Sequence, residues 1–337
     1  MLALRHLLIS IFAAAPMLCA QLKPLEPIPV FLEEQAKVKA GQNMVPPWRC
    51  DLEGRMYSRI RTMMGTAVVR FNDKQAIDQT FTTSSVNEIK DYVIVDYAPD
   101  PGGGLIAIAA KKSRTEYSPV IFRFNEHGDF SGPIVLNGIQ PGKLAVFANR
   151  TLLIGGSDSR GKWTTGIFRP DGMLLKNVNV DVLARGESEK SEKNSTKSST
   201  ETIDSEALNS ALEFFPSQNG NIYAALIASV AFPKPGIGPK VLEISPSGEV
   251  RSYDIPVPPN AELFRLLVSV NHIFVLLGDR EGKIDDIREF LINDAESRLD
   301  LFSRYRTLGA PQCVLDRSLL VVRPDSKGGQ YLVTYSH

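Results

Sequence analysis

Strand-forming segments, regular turn punctuation and an internal period of about 45 residues predict an all-β chain, a β-propeller of six four-stranded blades. Segments rich in Val, Ile, Leu, Phe and Tyr alternate with Gly, Asn, Asp and Pro turns every eight to twelve residues. The composition fits a folded domain, with 43% hydrophobic and 23% charged residues in 337. Lys plus Arg equals Asp plus Glu at 38 each, so the chain lacks the global positive field that nucleic-acid binding uses. Three Cys and four His, one of each within the first 20 residues, are too few for a zinc module or an iron–sulfur cluster.

Residues 1–20 read as a secretory signal peptide. Arg5 and His6 precede an apolar run from Leu7 to Ala15, which ends in small residues and is too short to span a membrane. No later segment has the apolar length of a span, so the expected location is secreted or periplasmic. A lipid anchor at Cys19 is the minor alternative, because Leu18 stands where a bacterial lipobox wants a small residue. Residues 21–45 form a Pro-rich leader with Pro24, Pro27 and Pro29, in which the polar segment LEEQAKVKAG reads as two helical turns. The propeller is expected over 46–337.

Two repeat series carry the blade count. A short apolar group after a turn ends at Tyr57, Ile106, Leu153, Tyr223, Phe274 and Leu320, at intervals of 49, 47, 70, 51 and 46 residues. The long interval contains a Ser-, Thr-, Lys- and Glu-rich insertion, residues 186–206, whose composition supplies no packed strand. Removing it restores the common period. A second series places a strand and hairpin turn later in each unit, at VVRFNDKQ, IFRFNEHGDF, GIFRPDGML, VLEISPSGEV and EFLINDAES. A repeat of this length holding four short strands is one propeller blade.

The chain resembles the six-bladed propellers of the NHL, SMP-30 and TolB-like group at DLEGRMY (Asp51 to Tyr57), PSQNGNIYA (Pro216 to Ala224) and ISPSGEV (Ile244 to Val250). The resemblance implies an Asp or Asn turn with Gly between the first and second strands, and a Pro, Asp or Ser turn with Gly between the third and fourth. It identifies a fold and not an activity. The Asp that often follows the second strand in NHL repeats is missing after Tyr57 and Tyr223, so no partner carries over.

The last unit runs out of chain after QYLVTYSH, so residues between about 25 and 47 are expected beside the C-terminal strands, closing the ring and removing two exposed edges. Cys50 precedes Tyr57 by seven residues and Cys313 precedes Leu320 by seven, which puts both at the same place on the inner strands of the first and last blades. A Cys50–Cys313 disulfide is therefore expected in an oxidising compartment.

Candidate chemistry is sparse. His127 reads as a solvated turn residue, and neither a GxSxG elbow nor a Cys–His pair is present. GIGPK and GDREGK fall short of nucleotide-loop patterns and read as inter-strand loops. A metal-dependent, lactonase-like hydrolase would hold a divalent cation in the central channel, for which Asp51, Glu53, Asp96, Glu213 and Asp316 are the candidates; Asp51, Glu53 and Asp316 also read as plain turn formers. The preferred reading is a secreted binding or scaffold module with no cofactor, and a structural piece of an envelope assembly is the third.

Loop charge suggests where a partner meets it. Loops joining the second and third strands carry Arg59, Arg61, Lys111, Lys112, Arg114, Arg160, Lys162, Lys234 and Lys240, with an excess of seven positive charges over all six loops. Turns joining the third and fourth strands emerge opposite, with Asp73, Glu126, Asp129, Asp171, Glu249, Asp294 and Glu296 against Lys74, six net negative. A basic face binding a protein or an anionic small ligand follows. The competing reading is that hairpin turns favour Asp for backbone reasons and long loops are simply solvated.

Overall fold

The computed structural model describes the chain except residues 1–26, 29, 32, 40–43, 64, 73, 75, 112–117, 181–211, 227–238, 259–260, 279–283, 307–308, 316–317, 325–329 and 337. The signal segment, Cys19 and the 186–206 insertion lie outside the described residues.

Two strands, β1 (Val30–Phe31) and β2 (Glu33–Lys39), precede the first blade. Blade one comprises β3 (Met44–Cys50), β4 (Met56–Thr62), β5 (Gly65–Phe71) and β6 (Ile77–Thr82). Blade two comprises β7 (Tyr92–Pro99), β8 (Leu105–Lys111), β9 (Pro119–Phe124) and β10 (Phe130–Ile134). Blade three comprises β11 (Ile139–Val146), β12 (Leu152–Asp158), β13 (Trp163–Phe168) and β14 (Leu174–Val178). Blade four comprises β15 (Leu212–Pro216), β16 (Ile222–Leu226), β17 (Lys240–Ile244) and β18 (Val250–Asp254). Blade five comprises β19 (Glu262–Val268), β20 (His272–Gly278), β21 (Ile284–Asn293) and β22 (Arg298–Arg306), and blade six β23 (Ala310–Leu315), β24 (Ser318–Pro324) and β25 (Gln330–Ser336). The first strands of successive blades touch in a closed circle, β3 to β7, β11, β15, β19, β23 and back to β3. This is a six-bladed β-propeller.

Burial follows position in the blade. The second strands are sandwiched between neighbouring blades, so LIAIA of β8 and IFVLLG of β20 are buried throughout instead of alternating. Most of β14 and β18, at the rim, is exposed. Close packing demands small residues at some of these central positions. A Cβ on Gly156 of β12 would collide with the Gln140 carbonyl of β11, and one on Gly104, just before β8, with the Phe124 carbonyl of β9.

Turn chemistry repeats from blade to blade. Asp51, Asn125 and Asp158 each use Oδ1 to accept backbone N–H groups two and four residues on, at 2.8–3.0 Å. The following Gly54, Gly128 and Gly161 have φ of 81°, 80° and 75°. Arg150 takes that place in blade three with φ 66°, and its guanidinium donates to the Pro101 carbonyl of blade two at 3.1 Å. These Asx turns are why Asp and Asn punctuate the repeat.

Closure is made by the N-terminal segment. β2 pairs antiparallel with β25 from Glu33↔Ser336 to Lys39↔Tyr331 and completes blade six. The two helical turns expected in LEEQAKVKAG are not formed: residues 33–39 are β2. A helix this short is unstable alone, whereas the free edge of β25 satisfies its backbone groups. Just before it, β1 pairs in parallel with β22, Val30↔Tyr305 and Phe31↔Arg306, so blade five gains a fifth strand. The leader boundary moves slightly, because β3 already begins at Met44.

The seam between blades one and six is apolar and covalent. Met44, Trp48, Met56, Phe71, Leu320 and Leu332 form one buried cluster around Cys313. The Cys50–Cys313 disulfide crosses it with Cα atoms 6.0 Å apart, as expected from their matching positions. It closes a separation of 263 residues, for which chain entropy gives roughly 5–6 kcal/mol. The double variant Cys50→Ser/Cys313→Ser is expected to lose about that amount in urea unfolding; a loss under about 1 kcal/mol would mean that the unfolded chain gains little freedom when the bond is absent.

Candidate functional site

Prolines shape the channel wall. Pro46 and Pro47 cannot donate to a ladder, and β3 loses register with β4 between Val45 and Arg49. The freed carbonyls are taken by other blades: Tyr97 of β7 donates its hydroxyl to Pro47 O at 2.6 Å, and Arg265 of β19 donates Nη2 to Trp48 O at 2.7 Å. Similar irregularities occur in β7 between Ile94 and Asp96, in β11 after Pro141, in β19 between Leu263 and Arg265, and in β23 after Pro311. Bulges re-aim side chains, and Arg49, Asp96 and Arg265 each stand where pairing resumes.

These side chains form a polar network across the channel. Arg49 Nη2 pairs with Asp96 Oδ1 at 2.9 Å, and its guanidinium carbon lies 5.1 Å from the centre of the Tyr97 ring. Arg265 Nη1 donates to Gln312 Oε1, linking blades five and six. Arg59 of β4 reaches inward and donates to the bulged Val95 carbonyl at 2.9 Å. Burial pushes the Tyr97 phenol well above its ordinary pKa, with Arg49 and Arg59 opposing. Burial also lowers the Arg265 pKa, against the pull of Glu213 and Tyr97. Where first–second turns emerge, the channel opens into a cavity of about 70 Å³ lined by Trp48, Arg49, Glu213, Arg265 and Gln312.

The candidate metal acids are not brought together. Asp51 is consumed by its own turn, with Oδ1 on the backbone of Glu53 and Arg55 and Oδ2 on Arg55 Nε at 2.6 Å. Glu53 is exposed and pairs with Arg55 Nη2 at 3.0 Å. Asp96 is paired to Arg49, Glu213 lines the cavity, and Asp316 lies outside the described residues. Among the described residues no three His, Cys, Asp or Glu side chains converge in metal-ligating geometry.

Comparison with solved structures returns propellers at low identity. The β-propeller domain of the Trilobed protease from Pyrococcus furiosus is 10% identical with TM-score 0.49, covering 88% of this chain and 94% of that one. TolB from Acinetobacter baumannii is 12% identical with TM-score 0.45, over 84% and 64%. Dipeptidyl peptidase 4 from Porphyromonas gingivalis is 11% identical with TM-score 0.44, over 90% and 48%. No family model matches the chain, and no curated protein matches its sequence.

The two ends of the disc differ in how their charges are used. At the turn end three of the seven acids counted there, Asp171, Asp294 and Glu296, are paired with arginines on the strands or in the same turns. Arg70 pairs with Asp78 at 3.0 Å, Arg169 with Asp171 at 2.9 Å, Arg251 with Asp294 at 3.0 Å, and Arg298 with Glu296 and Asp300. Counting turn residues alone missed these partners. At the loop end, Arg61, Lys111, Arg160 and Lys162 are exposed in blades one to three. Arg59 instead belongs to the channel network, and Lys240 pairs with Asp254 at 3.2 Å. Lys112, Arg114 and Lys234 lie outside the described residues. Glu88, Lys90 and Asp91, in the connection from blade one to blade two, share this end and reduce its excess.

The Arg49–Asp96 pair is buried on both sides, 12% and 10% exposed. Arg49→Met is therefore expected to cost about 3–5 kcal/mol in urea unfolding by leaving Asp96 charged and alone, and Asp96→Asn added to it should recover much of that loss. Equal losses in the single and double variants would show that packing, not charge, holds this junction.

Proposed function

We propose that this chain is a secreted or periplasmic, non-catalytic propeller that binds an acidic protein surface or an anionic small ligand through its loop end. The supporting observation is the asymmetry of pairing: Arg61, Lys111, Arg160 and Lys162 stand exposed on three consecutive blades with no carboxylate partner among the described contacts. At the turn end Asp171, Asp294 and Glu296 have arginine partners. Lys111 lies 5.9 Å from the centre of the Tyr92 ring, and cations without a carboxylate partner keep a field for a ligand. The disulfide supports an oxidising compartment, in keeping with the N-terminal signal pattern. Placement among NHL, SMP-30 and TolB-like propellers rests on the turn motifs alone. A lactonase-like hydrolase gains no support from the positions of Asp51, Glu53, Asp96 and Glu213.

The test compares two variants of identical net charge. Arg61, Lys111, Arg160 and Lys162 are reversed to Glu in one, and Lys74, Arg169, Arg251 and Arg298 in the other. Retention on a sulfonate column at low salt should vanish for the first and persist in part for the second. Equal loss in both would remove the directional field and with it the proposed binding end.

A further inference from the structure

An asparagine followed by glycine can react with its own backbone, because the nitrogen of a residue without Cβ approaches the side-chain amide unhindered. Two of the chain's asparagines stand before glycine, Asn137 and Asn219. Their dipeptides are identical and their surroundings are not. Asn219 sits in the turn between β15 and β16, where its Oδ1 accepts the Asn221 N–H at 3.0 Å and its Nδ2 donates to the Tyr223 hydroxyl at 3.1 Å. The Gly220 N–H donates to the Ser217 carbonyl at 3.0 Å, so both reacting groups are held in hydrogen bonds of the fold. Asn137 lies in the connection from β10 to β11, and both it and Gly138 are exposed. No described hydrogen bond engages the Asn137 side chain or the Gly138 amide. Gly138 has φ 80°, and a Cβ there would meet nothing within 4 Å, so the nitrogen is open to approach. Exposure alone does not separate the two sites, since Asn219 is exposed as well.

We propose that Asn137 is a modification site at which the chain converts its own asparagine to aspartate and isoaspartate, while Asn219 is spared. Solvent hydroxide removes the proton of Gly138 N, this nitrogen attacks Asn137 Cγ, and the Cγ–Nδ2 bond breaks with release of ammonia. Water then opens the cyclic imide. Opening at Cγ restores the backbone and leaves aspartate; opening at the former main-chain carbonyl leaves isoaspartate. For Asn219 the same path first gives up the hydrogen bonds of its turn, and losing one or two of them corresponds to a reaction slower by roughly tenfold. Either product adds one negative charge. Ile139, two residues on from Asn137, pairs with Asp158, which opens the turn that carries exposed Arg160 and Lys162. The new carboxylate therefore falls at the loop end and lowers the positive field there. That consequence for a ligand rests on the reading of the loop end as the binding end; the modification itself does not.

The test incubates the full chain in mildly alkaline buffer and follows both sites by peptide mass mapping and by enzymatic methyl transfer from S-adenosylmethionine to isoaspartate. The folded chain should gain isoaspartate at Asn137 about tenfold faster than at Asn219, or more. In urea, where the fold no longer distinguishes the two dipeptides, the rates should come together. Asn137→Gln should abolish the fast signal and keep the thermal midpoint. The charge consequence has its own arm: Asn137→Asp and Lys74→Gln lower the net charge equally, and Asn137→Asp should leave a sulfonate column at lower salt because its charge is at the loop end. Equal elution of those two variants would overturn the loop-end consequence and leave the modification standing. Equal rates at Asn137 and Asn219 in the folded chain, a faster reaction at Asn219, or no reaction at Asn137 while the unfolded chain reacts would each overturn the modification site.

Discussion

The pairing of β2 with β25 is the constraint on which the rest of the structure depends. Blade six has three strands of its own, and residues from the other end of the chain supply the fourth. Only with that strand in place is the circle of inner strands backed by a complete blade at the seam. The channel, its bulges and the disulfide all presuppose the closed circle. β1 extends the same logic to blade five, where a two-residue parallel pairing with β22 lies alongside the path of the chain into β2. Closure across nearly the whole sequence places the fold among topologies of high contact order, which form slowly and leave edges exposed until the end.

Between blades, the recurring device is a cation donated to a backbone carbonyl. Arg70 reaches Gly103 O in blade two at 2.6 Å, Arg123 reaches Pro170 O in blade three at 3.1 Å, and Lys176 reaches Ser247 O in blade four at 3.0 Å. Ser217 makes the neutral version to Ser269 O at 2.9 Å. Blade faces are apolar and adapt by sliding, so directional bonds at the ends fix each blade's position. Many of the 38 basic residues are therefore structural, although a charge count treats them as surface field. At the loop end Arg59 is used in this way, and at the turn end Arg169, Arg251 and Arg298 hold acids instead.

Much of the architecture was legible because a blade repeats. Tyr57, Ile106, Leu153, Tyr223, Phe274 and Leu320 all fall at the start of second strands, where burial between blades calls for apolar residues in every repeat. Asp and Asn turns were legible because their side chains cap their own backbone. The Cys50–Cys313 bridge followed from equivalent positions in the repeat. What the sequence hid was everything set by contact between blades. Pro46 and Pro47 stand at the expected start of the propeller with nothing local to mark their role, yet their missing donors break β3 and aim its carbonyls at Tyr97 and Arg265. Glu213 and Arg265 belong to different repeats, and no local pattern announces that they share a cavity. The polar 32–41 segment reads as helical in isolation because its partner strand lies some 300 residues away.

Native-state hydrogen exchange across β2 tests closure most directly. If β2 completes the ring, amides of residues 33–39 that bond β25 open only with the global unfolding of the propeller, sharing the denaturant dependence of β24 and β25. Exchange of those amides through a small, denaturant-independent opening, while β24 and β25 stay protected, would show that the ring is held by the seam core and disulfide, with β2 an ornament on a propeller closed without it.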